Sequence, residues 1–459
     1  MRTIANPVAR LLAVFAALLL AAQPVAAQEA STTILRDAET EALLQKLVDP
    51  LAEAAGLQRG AVQVVIVNDP EINAFVEQGQ RIYINSGLIN AADTANEVQG
   101  VLAHEMGHIA GGHSISIYSG AGKAAKIQLL TMLAGIAAAL AGAPEAGSAL
   151  SALGQQAALG TFLGFTRLQE SSADAASVRF LSKAGISGKG SISFFHKIEG
   201  EEYRYGMQHN DEAAYASTHP LAPDRIERLQ ADFEKDPAWN KPPDPVQQAR
   251  FERIKAKLYG YLATPAQTLQ HYPPYMTGVP ARYARAYAYH KDARMDEAVA
   301  ETDALLASAP NDPYFLELKG QVLLESGKPA EALAPLRRAT ELTGNNPLIA
   351  STFGQALIAT EDTAHYDEAL KVLRAAVARD RENPSAWYEL GVVYAAKNDM
   401  PRARLASAEQ QIMSDLPRAA LSNAEFAENA LPSGTPDWLR AQDIAMQARA
   451  ELERTKSRQ

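Results

Sequence analysis

The second half of the chain is built from a repeat of about 34 residues. Alanines at four equivalent positions are separated by 34, 37 and 34 residues, and a proline and a glycine recur at the first two of these intervals. The alanines are Ala298, Ala332, Ala369 and Ala403, the prolines are Pro313, Pro347 and Pro384, and the glycines are Gly320, Gly354 and Gly391. One unit of this length is too small to bury its own apolar residues, so the units must stack on one another.

This repeat predicts an all-α solenoid over residues 281–455. Small residues stand where the two helices of a pair would cross, and proline stands at the turn. The pattern resembles tetratricopeptide repeats, and an insertion in "ATEDTAHYD" explains the longer interval. A generic helical bundle, the alternative, would not keep three residue types in register.

The residues before the repeats mix helical and strand patterns. Apolar residues recur at helical spacing over 37–57, and "AVQVVIVND" has the β-branched content of a buried strand. The next segment alternates around Gly79 as a hairpin does, and a helix follows over 94–111. We therefore predict an α+β fold for residues 28–270, mainly helical with a small sheet. The proline-rich stretch "HYPPYMTGVP" predicts a linker over 271–280.

Residues 121–165 are unusually rich in alanine, leucine and glycine. The apolar run from Ile127 to Gly142 has 16 residues, fewer than the roughly 20 that a membrane-spanning helix needs. We expect a helical hairpin that lies over the rest of the domain. Peripheral contact with a membrane is the alternative.

The stretch "HEMGH" is the clearest indication of chemistry in the chain. Residues four apart share one face of a helix, so His104 and His108 can bind one metal ion. Imidazole ligands suit Zn²⁺, and catalytic zinc sites keep one position for water. Glu105 lies beside the two histidines, where it can take a proton from that water. The motif therefore predicts a zinc site that hydrolyses a substrate.

A catalytic zinc site needs a third protein ligand, and the sequence offers two sources. One is His113, although the last histidine of the pattern HExxHxxGxxH belongs one residue later. The other is "ESSAD", where Glu170 and Asp174 share a helical face and Ala173 and Ala175 allow close packing. Glu170 can complete the metal site, and Asp174 can accept the free N–H of a liganding histidine. A solvated acidic face is the alternative for this pair.

These motifs together resemble a family of zinc metallopeptidases that includes the CAAX prenyl endopeptidase, HtpX and the mitochondrial Oma-type proteases. The matching segments are HEMGH, ESSAD as the ExxAD element, and "NAFVEQGQRIYINSGLI" upstream. The signal-like N-terminus and the repeats make the chain most similar to periplasmic members that enhance the assembly of β-barrel proteins. The resemblance implies one Zn²⁺ per chain, with His104, His108 and Glu170 as ligands, Glu105 as general base, and Asp174 behind a ligand.

The segment "THPLAPDRI" matches a further element of this family. It implies that His219 can reach the zinc ion and take the place of water, which would keep the enzyme latent, and that Arg225 stabilises the oxyanion. A hydrogen bond from His219 to the tetrahedral intermediate is a competing role. The residues alone leave open that His219 is a loop histidine and Arg225 a surface residue.

The N-terminus has the pattern of a secretory signal peptide over residues 1–27. Arg2 and Arg10 form a basic region, "LLAVFAALLLAA" is an apolar core, and small residues predict cleavage after Ala27. A retained anchor is the alternative. The chain has no cysteine, which excludes disulfides, thiolate ligands, a cysteine nucleophile and a lipid-modified cysteine. We expect the mature protein in the periplasm.

The chain is acidic, with a net charge of −10. Removal of the signal peptide takes away two of the 43 basic residues and none of the 53 acidic ones, which leaves 43 − 2 − 53 = −12. Such a charge argues against nucleic acid and against anionic lipid head groups as partners.

Two functions are compatible with this sequence. The first is a periplasmic zinc endopeptidase with a chaperone-like role. Its resemblance to the family implies unfolded or misassembled outer-membrane proteins as substrates and the outer-membrane barrel-assembly machinery as a partner. A substrate would lie extended along an edge strand near Arg81 to Asn85. The alternative is mainly a repeat-based chaperone or adaptor with a latent zinc site.

Overall fold

A computed structural model describes residues 33–77, 79–140, 144–205, 219 and 223–457. The predicted signal peptide lies outside the described residues. Within them, an α+β region that contains the sheet comes first, and a helical array follows from Val279 onward. This order confirms the predicted fold class, an α+β domain followed by an all-α repeat domain.

The described strands form a small mixed sheet. They are β1 (Ile34–Leu35), β2 (Gln63–Val67), β3 (Ala74–Val76) and β4 (Arg81–Asn85). Their spatial order is β1-β2-β4-β3, in which β2 and β4 are parallel and both outer strands are antiparallel to their neighbours. β3 and β4 form the predicted hairpin, and Gly79 in its turn has a φ of 98°, which glycine adopts without a Cβ penalty.

The prediction of an edge strand near Arg81 to Asn85 is wrong. That strand, β4, is internal, because its residues pair with β2 on one side and with β3 on the other. Among the described strands, the outer ones are β1 and β3. Alternation of apolar residues locates a strand in the sequence but carries no information on which strands flank it.

The α+β region also contains a series of helices. They are α1 (Ala38–Ala54), α2 (Ser86–Ala91), α3 (Ala95–Ala110), α4 (His113–Leu140), α5 (Pro144–Ala184), α6 (Lys189–Tyr205), α7 (Pro223–Glu234), α8 (Pro245–Leu262) and α9 (Pro265–His271). One core joins α1, the sheet and α3, with Leu47, Ile66 and Leu102 among its fully buried residues. Thr94 caps α3, because its hydroxyl oxygen accepts a hydrogen bond from the backbone N–H of Glu97.

Helix α3 runs through the middle of this region. Every residue from Val98 to Gly107 is buried, so the helix contacts neighbours on all sides. The side-chain amide of Gln99 donates a hydrogen bond to the carbonyl of Leu47 on α1 at 3.1 Å. A helix held on all sides keeps its polar side chains in fixed positions, and α3 carries the HEMGH motif.

Helices α4 and α5 form the predicted helical hairpin. Its large apolar side chains do not lie against the rest of the domain as we expected, since Leu130 and Leu153 are 66% and 63% exposed. Among the described residues, no helix has both the length and the apolar character needed to cross a membrane.

The helical array confirms the predicted repeats. Its helices are α10 (Val279–Lys291), α11 (Met295–Ser308), α12 (Pro313–Glu325), α13 (Pro329–Leu342), α14 (Pro347–Ala359), α15 (Tyr366–Arg379), α16 (Pro384–Ala396), α17 (Met400–Met413), α18 (Pro417–Ala430) and α19 (Pro436–Ser457). The repeated alanines are buried, and the repeated prolines each begin a helix. A short 3₁₀ helix, Thr363–His365, lies in the predicted insertion.

The two regions contact each other well beyond the linker. Glu39 at the start of α1 is buried, accepts a hydrogen bond from the hydroxyl of Tyr283 at 2.7 Å and pairs with Arg253. Arg253 also lies 2.6 Å from the carboxylate of Asp312. A cavity of about 960 Å³ is lined by residues of both regions, among them Ile34 on β1 and Glu317 on α12. The repeats are therefore docked on the α+β region.

Candidate metal centre

Helix α3 places His104 and His108 side by side. They are one helical turn apart, and their Nε2 atoms lie 3.1 Å from each other. His104 is 1% exposed. Two ring nitrogens that face each other across a short gap need a proton or a metal ion between them, because two lone pairs repel. The structure therefore brings the predicted pair together in the form that a metal site requires.

Helix α5 adds a carboxylate to this pair. A Cβ atom on Gly107 would lie 2.6 Å from the carbonyl oxygen of Ala173, so the two helices touch at these small residues. Contact at this point brings the carboxylate of Glu170 to 3.3 Å from Nε2 of both histidines. Ala173 packs as the sequence predicts, whereas Ala175 is exposed and takes no part in the contact.

His219 closes the cluster from the opposite side. Its Nδ1 lies 3.3 Å from Nε2 of His104 and 3.1 Å from Oε1 of Glu170. His219 is 6% exposed, so it is not a solvent-exposed loop histidine. His104, His108, Glu170 and His219 each offer one ligand atom, and these atoms all lie within 4.8 Å of one another.

The ring nitrogens that point away from the centre lie close to other polar atoms. Nδ1 of His104 lies 3.1 Å from Oδ1 of Asp174, and Nδ1 of His108 lies 3.0 Å from Nδ1 of His113. Metal-binding histidines commonly have such a partner, which fixes the ring and its tautomer. The pattern therefore favours metal binding over a chance cluster.

His113 contributes in a way that the sequence did not suggest. It lies outside the group of four ligand atoms, so it is not placed as a ligand. The chain turns at Gly112, whose φ is 61°, and α4 then begins with His113 against the ring of His108. The glycine pair directly before His113 was the available signal for this reversal.

The outer nitrogen of His219 faces the sheet. Its Nε2 lies 3.3 Å from the carbonyl oxygen of Ala74, which belongs to the outer strand β3. Ala74 pairs with Ile84 of β4. The histidine thus bridges the ligand cluster and the side of β3 that pairs with none of the described strands. This link is non-local, and no feature of the sequence indicates it.

Arg225, at the start of α7, lies behind the carboxylates. Its Nε and Nη2 donate hydrogen bonds to the two oxygens of Asp174 at 2.6 and 2.8 Å, and Nη2 lies 3.0 Å from Oε2 of Glu170. The guanidinium also lies 5.7 Å from the ring centre of Phe195. Arg225 is 7% exposed, so it is a buried part of the site rather than a surface residue.

Glu105 has a different environment from the other acids. Glu105 is fully buried, and neither of its carboxylate oxygens has a hydrogen-bond partner among the described residues. Nε2 of His219 lies 3.6 Å from Oε1. A buried carboxylate without a donor costs free energy, and a water molecule or a substrate amide at the cluster would remove that cost. The arrangement fits a group that exchanges a proton.

The charges of the cluster favour a cation. Burial raises the pKa of Glu170, but hydrogen bonds from the histidines hold it well below its ordinary value. For Asp174, burial also raises the pKa, and the hydrogen bonds from Arg225 and His104 lower it to about 2. Burial lowers the pKa of His104, but the nearby carboxylates raise it to about 10, whereas burial keeps that of His108 below its ordinary value. Two ionised carboxylates thus stabilise a positive charge at His104, and a metal ion would compete with that proton.

The donor set fits a divalent metal ion. Two imidazole nitrogens and a carboxylate oxygen form a ligand set found at catalytic zinc sites, and the third imidazole stands where a fourth ligand would bind. The predicted site residues therefore meet at one buried place, and Asp174, Arg225 and His113 contact the candidate ligands from outside the cluster.

Family models match parts of both regions. Residues 38–232 match the family model of Peptidase family M48, which spans the whole cluster. Residues 358–412 match Tetratricopeptide repeat, and residues 291–376 match Anaphase-promoting complex, cyclosome, subunit 3.

Several curated proteins are similar to this chain over different lengths. The chain is 24% identical over 391 residues to the Beta-barrel assembly-enhancing protease of Escherichia coli (strain K12), covering 81% of this chain and 75% of the relative. It is 32% identical over 160 residues to Metalloprotease LoiP of the same organism, covering 35% of this chain and 58% of the relative. It is 27% identical over 194 residues to the mitochondrial Metalloendopeptidase OMA1 of Bos taurus, covering 41% and 36%.

A solved structure is similar in sequence to part of this chain. YrrB, described as a TPR protein with an unusual peptide-binding site, is 24% identical and covers 39% of this chain and 94% of its own, with a TM-score of 0.32.

Proposed function

Because this chain carries a Peptidase family M48 domain followed by tetratricopeptide repeats, it is a metalloprotease, and we propose that its metal is Zn²⁺, one ion per chain. His104, His108 and Glu170 would hold the ion. The observation that carries this assignment is the meeting of their three ligand atoms beside the unpartnered carboxylate of Glu105. When bound, zinc polarises a peptide carbonyl and makes water a stronger acid.

Glu105 acts as the general base. Its buried carboxylate can take a proton from the attacking water and return it to the nitrogen of the leaving amine. The absence of a hydrogen-bond donor among the described residues keeps both oxygens available for this exchange. Asp174 and Arg225 hold Glu170 and His104 in place through the contacts described above, and His113 supports His108.

His219 restrains the enzyme until substrate binds. Its Nδ1 faces the ligand cluster, while its Nε2 faces the carbonyl of Ala74 on β3. A substrate that lies extended along β3 would offer a backbone N–H to that same carbonyl. The histidine therefore competes with substrate at two points, and substrate binding requires its departure.

The relatives support a proposal for the substrates and the setting. Similarity to a Beta-barrel assembly-enhancing protease over 81% of this chain supports unfolded or misassembled outer-membrane β-barrel proteins as substrates, and assembly of such proteins as the process served. We infer a periplasmic location and, through the repeats, binding to the outer-membrane barrel-assembly machinery. Peptide-backbone pairing along β3 fits substrates that are unfolded, because only an extended chain can add a strand.

A chaperone or adaptor with a silent zinc site is the second candidate, favoured by the extensive docked repeats and by His219 in the cluster. Glu105→Gln separates the two, since it removes the base and keeps the size of the side chain. The experiment is cleavage of an unfolded barrel protein and complementation of a deletion strain, with Glu53→Gln on the exposed surface of α1 as the matched control. A protease loses cleavage and the phenotype that depends on it. A pure chaperone keeps its whole phenotype in Glu105→Gln, and that result would overturn the proposal.

A further inference from the structure

One face of α4 is apolar and exposed. Its five large apolar residues are Leu129, Leu130, Met132, Leu133 and Ile136, with exposed fractions of 52%, 66%, 46%, 52% and 50%. At 3.6 residues per turn they fall within an arc of about 160° on the helix surface. An apolar face of this width normally lies against a neighbour, and contiguous exposed apolar surface marks an interaction site.

This face points away from the partner helix of the hairpin. Thr131 lies on the opposite side of α4, and a Cβ atom on Gly154 of α5 would lie 1.8 Å from its Oγ1. Gly135, on the same side as Thr131, is buried. The contact between α4 and α5 therefore uses the side of α4 opposite the leucines, which leaves the apolar face without a neighbour in the described part of the chain.

The charge around this face differs in sign from that of the whole protein. The chain carries a net charge of −10. Residues 114–169 contain one acidic residue, Glu145, and three basic ones, Lys123, Lys126 and Arg167, so this segment carries +2. All three basic residues are exposed, and both lysines precede the apolar face by less than two helical turns.

We propose that this face of α4 binds a lipid surface that carries anionic head groups. A helix with a wide apolar face and neighbouring lysines lies in the plane of a membrane interface, with its leucines at the acyl boundary and its ammonium groups among the head groups. Anionic lipid attracts basic side chains near the surface. A second copy of the chain or an unfolded polypeptide would match the leucines but would give no role to the lysines in an otherwise acidic protein. The acidic charge of the whole chain argues against anionic lipid as a partner, but residues 114–169 carry a positive charge and are a local exception.

Lipid binding at this face would also position the metal centre. Helix α4 begins at His113, beside the ligand His108, and Lys123 lies ten residues farther along. At 1.5 Å per residue, the cationic end of the face is about 15 Å from the cluster. The cluster would then lie close to the lipid surface, where a stalled membrane protein would be.

The test is flotation of the full mature chain with vesicles of phosphatidylcholine alone or of phosphatidylcholine and phosphatidylglycerol in equal amounts. One variant removes the apolar face: it combines Leu129→Gln, Leu130→Gln and Leu133→Gln. The other reverses the basic charge beside it: it combines Lys123→Glu and Lys126→Glu. Leu342→Gln with Leu416→Gln and Leu439→Gln, on exposed positions of the repeats, is the matched control. Circular dichroism and zinc content verify that each variant is folded.

We expect the wild type and the control to float with the mixed vesicles, and each test variant to partition about tenfold less. Added salt should weaken the binding of the wild type. Equal flotation of the wild type and both test variants would overturn the proposal. Two further results would overturn it. In the first, the wild type binds no vesicles but forms a dimer that the leucine variant dissociates. In the second, the leucine variant changes only the capture of an unfolded barrel protein.

Discussion

The guanidinium of Arg225 holds the carboxylate of Asp174 with two hydrogen bonds, at 2.6 and 2.8 Å. The other side of that carboxylate faces His104, with 3.1 Å between Oδ1 and Nδ1. Arg225 therefore acts on the cluster through Asp174 and through its contact with Glu170 at 3.0 Å. A chain of buried charges extends from α7 across α5 to helix α3, which carries the HEMGH motif.

The first prediction concerns metal retention. Glu170→Gln should lose metal clearly, because it replaces an anionic ligand with a neutral amide. Asp174→Ala should retain it better, with an affinity lower than that of the wild type by about 10–100-fold. The measurement is zinc content after dialysis against a graded series of chelator concentrations. Full zinc occupancy in Glu170→Ala, with His113 as a replacement ligand, would refute the ligand set.

The second prediction separates two roles of Arg225. If it positions Asp174 and Glu170, as the contacts indicate, Arg225→Ala should lower metal affinity and also leave two buried carboxylates without their cation. Arg225→Lys should recover part of the affinity, since it restores the charge but not the paired geometry. If Arg225 instead stabilises the oxyanion, zinc affinity should stay at the wild-type value while kcat falls.

The third prediction concerns His113. His113→Ala should lower zinc affinity by less than substitution of a ligand does, because it frees the ring of His108 without removing a donor. His196→Ala, at an exposed histidine on α6, is the matched control. The same chelator series measures both variants. Equal zinc affinity of His113→Ala and the control would show that the contact at 3.0 Å between the two rings has no part in metal binding.

The fourth prediction concerns restraint by His219. His219→Ala should raise kcat/KM on an unfolded barrel protein, because it frees both the metal side and the carbonyl of Ala74. Its KM should fall along with the rise in rate, since the substrate no longer competes with the histidine for β3. A variant that keeps its zinc and is less active than the wild type would instead assign His219 to the stabilisation of the intermediate.

The fifth prediction concerns Glu317, in the cavity between the two regions. Burial raises its pKa to about 8, and its Oε2 has no hydrogen-bond partner among the described residues. Because the folded state then holds the proton more tightly than the unfolded state, this group costs nothing well below its ordinary pKa of 4.5. Its cost to stability grows as pH rises towards 8.

Glu317→Gln should therefore raise the free energy of unfolding at pH 8, by about 1 kcal/mol, and change it little at pH 4.5. Urea denaturation at both pH values measures the difference, with Glu331→Gln at an exposed position of α13 as the control. A gain of the same size at both pH values would contradict a burial effect on ionisation.

The features that the sequence predicted depend on local spacing. His104 and His108 share a helical face whatever surrounds the helix, and the 34-residue interval sets the repeats without knowledge of their packing. Glu170 could also be predicted from the sequence, because "ESSAD" places small residues next to the acids. The contact of Gly107 with Ala173 needs such small residues.

The features that the sequence did not predict depend on contacts between distant segments. The order of the strands made β3 rather than β4 an edge, since pairing with β2 closes the other side of β4. The contact of His219 with Ala74 and that of Arg225 with Asp174 join residues far apart in the chain. The exposure of the apolar face of α4 was not predicted, because a composition rich in alanine and leucine does not show which side of a helix is covered by a neighbour.

The most direct test of a zinc centre restrained by His219 is zinc X-ray absorption on the purified wild type and on His219→Ala. We expect one zinc ion per chain in both proteins. In the wild type the ion should have three imidazole nitrogens and a carboxylate among its ligands, and in His219→Ala one imidazole should be replaced by an oxygen donor from solvent. A protein without stoichiometric zinc, or identical coordination in the two proteins, would contradict it.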